Sequence, residues 1–169
     1  MKNSLLILVV VVAYTFLGAC TLQVKTDNNG TSSGGKIRNG IEIQENGLHA
    51  EQAFLLKEDG SLIPDDNKVQ VGEQVLLRLI TTGWQEENGV VFPEASEKIS
   101  ANTGVVFLDE PALLAQSIPN GTSLENAKVL TLYATITKLD KLYDYFLVSF
   151  KVWDKKTDKS LTGSYKLHI

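Results

Sequence analysis

Few residues in this chain are equipped for chemistry. Its 169 residues include two histidines, His49 and His168, and a single cysteine, Cys20. A Ser-His-Asp arrangement or a multi-histidine metal site therefore lacks material, and one cysteine cannot close an intrachain disulfide. Neither histidine has a sequence neighbour that points to catalysis, so both read as polar surface residues. Carboxylates are the larger resource, with 20 Asp and Glu residues. They gather at Asp59, at Asp65-Asp66-Asn67, at Asp109-Glu110, and at Asp154 with Asp158. Calcium takes about six to eight oxygen ligands, which makes Asp65, Asp66, Asp154 and Asp158 the candidates should a sandwich gather them at one end. No segment has the spaced Asp/Asn loop with distal Glu of a dedicated calcium site, and turns favour Asp for local hydrogen-bonding reasons. No pair of acids is singled out for glycoside hydrolysis, and no glycine-rich phosphate loop is present. The expectation is a protein with no catalytic residue, no metal and no cofactor.

The aromatic residues offer recognition instead of catalysis. Tyr133, Tyr145 and Trp153 fall on the parity opposite to the apolar rows of their strands, along with Leu147, so they point away from the core. Flat amphipathic rings on such a face stack sugars or dock protein at little entropic cost. The bland alternative is that these rings cover the edge of a second sheet. Trp84 follows Gly83 and precedes Glu86-Glu87-Asn88-Gly89, a position that suits either a partner anchor or a staple holding a loop onto the core.

The N-terminus has a different character. Met1-Lys2-Asn3 gives a short positive start, followed by an apolar run from Leu5 to Phe16 and then the small residues Gly18 and Ala19. This is the layout of a secretory signal. From Leu5 to Ala19 the apolar stretch is too short for the ~17–25 residues that span a bilayer. Leu17-Gly18-Ala19-Cys20 resembles the lipobox of bacterial lipoproteins, with Gly18 where Ala, Ser or Thr is commoner. The resemblance implies cleavage before Cys20, a diacylglycerol on its thiol, and acylation of the new amino group. It also implies the outer membrane, because Thr21 is not the Asp that retains many members of that family in the inner membrane. Each buried acyl methylene contributes about 0.8 kcal/mol, so two or three chains anchor a protein effectively permanently.

Residues 1–19 are thus expected to be a signal peptide, and residues 20–40 an acylated cysteine with a flexible tether. The tether is rich in Gly, Ser and Asn, with an end-to-end distance of about 25 Å as a random coil. Asn29-Gly30-Thr31 and Asn120-Gly121-Thr122 match the N-glycosylation pattern and read as turns. Losing Lys2 takes the formal net charge from −4 to −5. That acidity argues against nucleic acid, whose binders need a basic stripe.

Residues 41–169 read as one all-β domain. Apolar stretches are short, alternate with period two, and end in Gly, Asp, Asn or Pro. Strands are expected at Ile41–Ile43, His49–Lys57, Val69–Leu79, Val90–Phe92 and Val105–Leu108, with Gly72 allowing a bend. Glu94 to Lys98 reads as loop, and Pro111–Ala115 as a helical turn crossing between sheets. The last third is clearest: Leu130, Leu132, Ala134 and Ile136, then Phe146, Val148, Phe150 and Val152, then Leu161, Tyr165, Leu167 and Ile169, each share one parity. Pairing Val152 with Leu161 and Phe150 with Gly163 keeps both inner rows on one side. The expected fold is an antiparallel two-sheet sandwich of about seven to nine strands, immunoglobulin-like or C2-like, with a jelly roll or small barrel second. The function this suggests is a non-enzymatic, membrane-anchored envelope lipoprotein whose sandwich binds a macromolecular partner, a protein first. The alternative is a carbohydrate-binding module of a surface glycan-uptake system.

Overall fold

The structure is a computed structural model, and it describes residues 37–139 and 141–169. The expected signal peptide, the lipid on Cys20 and the tether up to residue 36 lie outside the described residues. Eight strands follow: β1 (Glu42–Asn46), β2 (His49–Lys57), β3 (Gln74–Thr82), β4 (Pro93–Ala101), β5 (Val106–Glu110), β6 (Val129–Thr135), β7 (Phe146–Asp154) and β8 (Ser160–Leu167). One four-residue helix, α1 (Leu124–Ala127), precedes β6, with the Ser123 hydroxyl accepting from the Asn126 N–H as its cap.

The strands form two antiparallel sheets, ordered β1-β8-β7-β4-β5 and β2-β3-β6. The expected sandwich is therefore the fold. In the immunoglobulin scheme strands A, B and E oppose C, F and G. Here β2, β3 and β6 take the first set of places, and β4, β7 and β8 the second. β5 extends the second sheet on one side and β1 on the other.

Alternation explains the layers. Phe146, Val148, Phe150 and Val152 from β7, with Leu161, Tyr165 and Leu167 from β8, face Val75, Leu77 and Leu79 of β3 and Leu130, Leu132 and Ala134 of β6, all buried. Each such side chain contributes about 1.5–3 kcal/mol by leaving water. The β7–β8 register has Val152 opposite Leu161 and Phe150 opposite Gly163, as the parity requires. Gly163 is there for space. A Cβ at that position would run into the Phe150 ring and the Glu42 carbonyl, so the phenyl ring packs where the side chain is missing.

Four expectations need correction. Glu94 to Lys98, read as loop, belongs to β4, a central strand paired to β7 along its whole length and to β5 along half of it. The strand is masked in sequence because it opens on proline and spells Glu-Ala-Ser-Glu-Lys, poor strand formers that tertiary pairing overrides. Val90 to Phe92, read as a strand, contributes only isolated bridges, Val91 to Thr122 and Val90 to Glu87. Pro111 to Ala115 is a series of turns with no helix. It is held by the Leu113 N–H on the Ala95 carbonyl at 2.8 Å and the Leu114 N–H on the Glu94 carboxylate at 2.7 Å. Val71 also leaves the inner row, because Gly72 at φ +85° turns the chain and exposes it.

Two asparagines in left-handed conformation fasten the start of the domain. Asn39 (φ 57°) and Asn67 (φ 52°) are both buried. The Asn39 amide donates to the carbonyls of Ile63 and Pro64 and to the Asn67 side chain, and its oxygen accepts from the Leu55 N–H. Asn67 donates in turn to the carbonyls of Asn39 and Lys166. Short side chains with both donor and acceptor suit positions where the backbone is αL and its partners are buried.

Candidate functional site

The outer face of the five-stranded sheet is polar and has a hollow at its centre. Cross-strand registers define its rows. One runs Glu42, Ser164, Ser149, Lys98, Asp109 across β1, β8, β7, β4 and β5. The next runs Gln44, Thr162, Lys151, Ser96. Small hydroxyls occupy Ser164 and Ser149 in the first row and flank Lys151 as Thr162 and Ser96 in the second, with longer charged or amide side chains at the ends. The result is a shallow depression of about 500 Å³ with a floor of Ser96, Ser149, Thr162 and Ser164. At its rim the Lys98 ammonium lies 3.3 Å from the Asp109 carboxylate.

Tyr145 and Trp153 stand at opposite ends of this face, both half-buried. Tyr145 immediately precedes β7 and Trp153 is near its end, a separation of about 26 Å at ~3.3 Å per residue. Each ring has a lysine over it: Lys151 Nζ lies 5.5 Å from the Trp153 ring and Lys166 Nζ 4.6 Å from the Tyr145 ring. The His168 ring meets Tyr145 edge-on. These contacts set the tilt of both rings and give each a cation as neighbour.

The remaining sequence candidates are dispersed. Tyr133 is exposed, but on β6 of the other sheet, and does not join Tyr145 and Trp153. Trp84 is withdrawn as a binding residue. It is buried, and its indole N–H donates to the Thr81 hydroxyl at 3.0 Å, so it staples the β3–β4 loop to the core. The calcium candidates do not meet, because the topology holds them at opposite ends of the β7–β8 hairpin. Asp65 and Asp66 adjoin the end of β8 through Asn67 and Lys68 and pair with Arg38 and Lys68. Asp154 and Asp158 lie at the hairpin tip, where the buried Asp154 carboxylate accepts from the N–H groups of Gln85 and Lys156. Among the described residues no three His, Cys, Asp or Glu side chains come together for a metal. His49 lies 2.8 Å from Glu45, and that hydrogen bond, with one from the Ala50 N–H, lowers the Glu45 carboxyl below its ordinary range.

Sequence reasoning missed two features. The hydroxyl floor was visible only in part, since Ser149, Thr162 and Ser164 alternate with recognised inner rows but Ser96 lies on the unrecognised β4. Glu97 was missed outright. It sits at core parity between Ala95 and Ile99, 2% exposed, and neither carboxyl oxygen has a hydrogen-bond partner. Burial pushes its carboxyl up to about 8. Burial, and then the nearby Glu97, raise the Tyr165 hydroxyl well above its ordinary range, and that hydroxyl is unpartnered too.

No family model matches this sequence. No curated protein matches it either. Among solved structures, the chain is similar to the crystal structure of the C-terminal domain of wzt, at 15% identity and a TM-score of 0.47, over 78% of each chain.

Proposed function

We propose that this protein is a non-catalytic, lipid-anchored module of the bacterial envelope whose five-stranded face binds a hydroxyl-rich glycan. The observation that supports this most is the serine- and threonine-floored depression lying between Trp153 and Tyr145. Hydroxyls both donate and accept, the Gln44 amide does the same, and Glu42, Asp109, Lys98 and Lys151 add charge-assisted bonds at the rim. Sugar hydroxyls need this mixture. The two rings provide apolar surface for the carbon faces of a chain longer than the depression itself. An open, shallow site fits the side of an extended polymer better than a small molecule enclosed on every side. The anchor rests on the lipobox resemblance and would tether the domain to a membrane. Replacing Ser149 with Tyr fills the floor without touching the core. The expected result is loss of retention on the recognised polysaccharide with an unchanged melting temperature; full retention sinks the reading.

A second reading, protein docking, is favoured by the outer face of the three-stranded sheet. That face carries Phe54, Leu56, Leu76 and Ile80 around a central Arg78, with the exposed Val129 and Tyr133 at its edge. Apolar patches of this kind mark interaction sites. Ile80→Glu separates the two readings: it abolishes protein capture and leaves glycan retention intact if both faces work independently.

A further inference from the structure

Sheet edges are templates for pairing, and three of the four edge strands here are blunted. β1 is five residues long and carries Glu42 and Glu45. β5 is as short, ends in Asp109-Glu110, and is bulged against β4 between Ile99 and Ser100. β2 is bulged between Ala50 and Gln52, and its outer edge is bridged at Ala53 by Ile37. β6 has none of these devices. It runs Val-Leu-Thr-Leu-Tyr-Ala-Thr, with no charge, no proline and no bulge in its register with β3. Among the described residues no backbone hydrogen bond reaches it from any strand but β3. Its outward side chains Val129 and Tyr133 are 43% and 41% exposed.

We propose that β6 pairs antiparallel with β6 of a second copy of this chain, centred on Leu132, joining two three-stranded sheets into one of six strands. The sequence of β6 is complementary to itself in that register. Thr131 falls opposite Tyr133 of the second copy, twice by symmetry, and Val129 falls opposite Thr135. Aromatic and β-branched residues are favourable cross-strand partners. Even positions meet even positions, so Leu130, Leu132 and Ala134 stay on the core side in both copies. No charged residue meets a like charge, and Lys128 just outside the strand falls opposite Ile136. Two-fold symmetry needs such an isologous surface. A second copy supplies a neutral strand with its apolar row on the core side by construction. The dimer stands independently of the glycan reading, because the polar face lies on the other sheet.

The test measures the mass of the full-length chain in detergent by light scattering, with detergent mass subtracted, at 10–100 μM, the order of magnitude where weak strand pairing shows. Wild type is expected to be a dimer. Thr131→Lys/Tyr133→Lys places lysine opposite lysine at two points and is expected to be monomeric. Thr131→Lys/Tyr133→Glu places lysine opposite glutamate at the same two points and is expected to restore the dimer. The rescue also rules out simple misfolding as the cause of dissociation. A monomeric wild type overturns the proposal, as does a dimer that survives the double lysine variant. Failure of rescue overturns the register, and a different protein's strand on β6 overturns the choice of occupant.

Discussion

Glu97 makes the stability of the domain depend on pH in a direction unusual for a carboxylate. Most carboxylates are held below their ordinary pKa and stabilise the folded state above it. Glu97 is the reverse. In the unfolded chain it ionises near 4.5, while in the folded chain burial holds its proton until about 8. Its contribution is fully present below pH 4.5 and is lost progressively as pH rises to about 8. Above that both states are ionised and the slope vanishes. The interval from 4.5 to 8 spans 3.5 pH units; at about 1.36 kcal/mol per unit the loss is about 5 kcal/mol. That is a large share of the 5–15 kcal/mol, in order of magnitude, that holds a domain together. Glu97→Gln keeps the shape of the protonated acid and removes the ionisation. Urea unfolding of both proteins at pH 5, 6.5 and 8 is the assay. Wild type is expected to lose about 4 kcal/mol between pH 5 and pH 8, and the variant to lose little, so that the variant is the more stable at pH 8. Equal pH slopes in the two proteins would refute the placement of Glu97 in the core.

Other substitutions follow from the same packing. Tyr165→Phe is expected to leave stability unchanged or raise it by about 1 kcal/mol in chemical denaturation, because the hydroxyl it removes has no partner. Gly163→Ala drives a methyl into the Phe150 ring and is expected to cost about 2–3 kcal/mol. Asn39→Ala leaves the Leu55 N–H without its acceptor and puts alanine at positive φ, so a loss of about 2–4 kcal/mol is expected by thermal melting. Trp153→Ala and Tyr145→Ala are expected to weaken glycan retention at least tenfold while destabilising by no more than about 1.5 kcal/mol. A large loss of stability in either would show a structural ring and remove it from the binding face.

Much of the sandwich was legible because half-buried strands alternate. The β7–β8 register followed from the parity of the two inner rows together with the turn residues from Asp154 to Ser160, since a slip of one residue would turn one row away from the core. β2 was readable from its bounds instead, since Glu45-Asn46-Gly47 and Glu58-Asp59-Gly60 mark turns on either side of it. β4 was not, because its inward positions include Glu97 and its outward ones Ser96 and Lys98, so polarity carried no alternation. The site suffered by the same cause: half of the face was visible on β7 and β8, and the rest depended on a strand that only pairing reveals. Trp84 and the aspartates show the complementary limit. Residue type told what these side chains are able to do, while their use was fixed by how the chain folds around them: Trp84 turns back onto Thr81 three residues earlier, and Asp154 accepts from Gln85, far away in sequence.

Glycan recognition by the five-stranded face is open to one direct measurement. A glycan array probed with the detergent-solubilised full-length chain, with Ser149→Tyr run beside it, tests that most directly. Wild type is expected to select a defined group of extended, hydroxyl-rich glycans, and the variant to lose them together. An array on which wild type binds nothing above background, or on which the variant binds equally well, contradicts glycan recognition by this face.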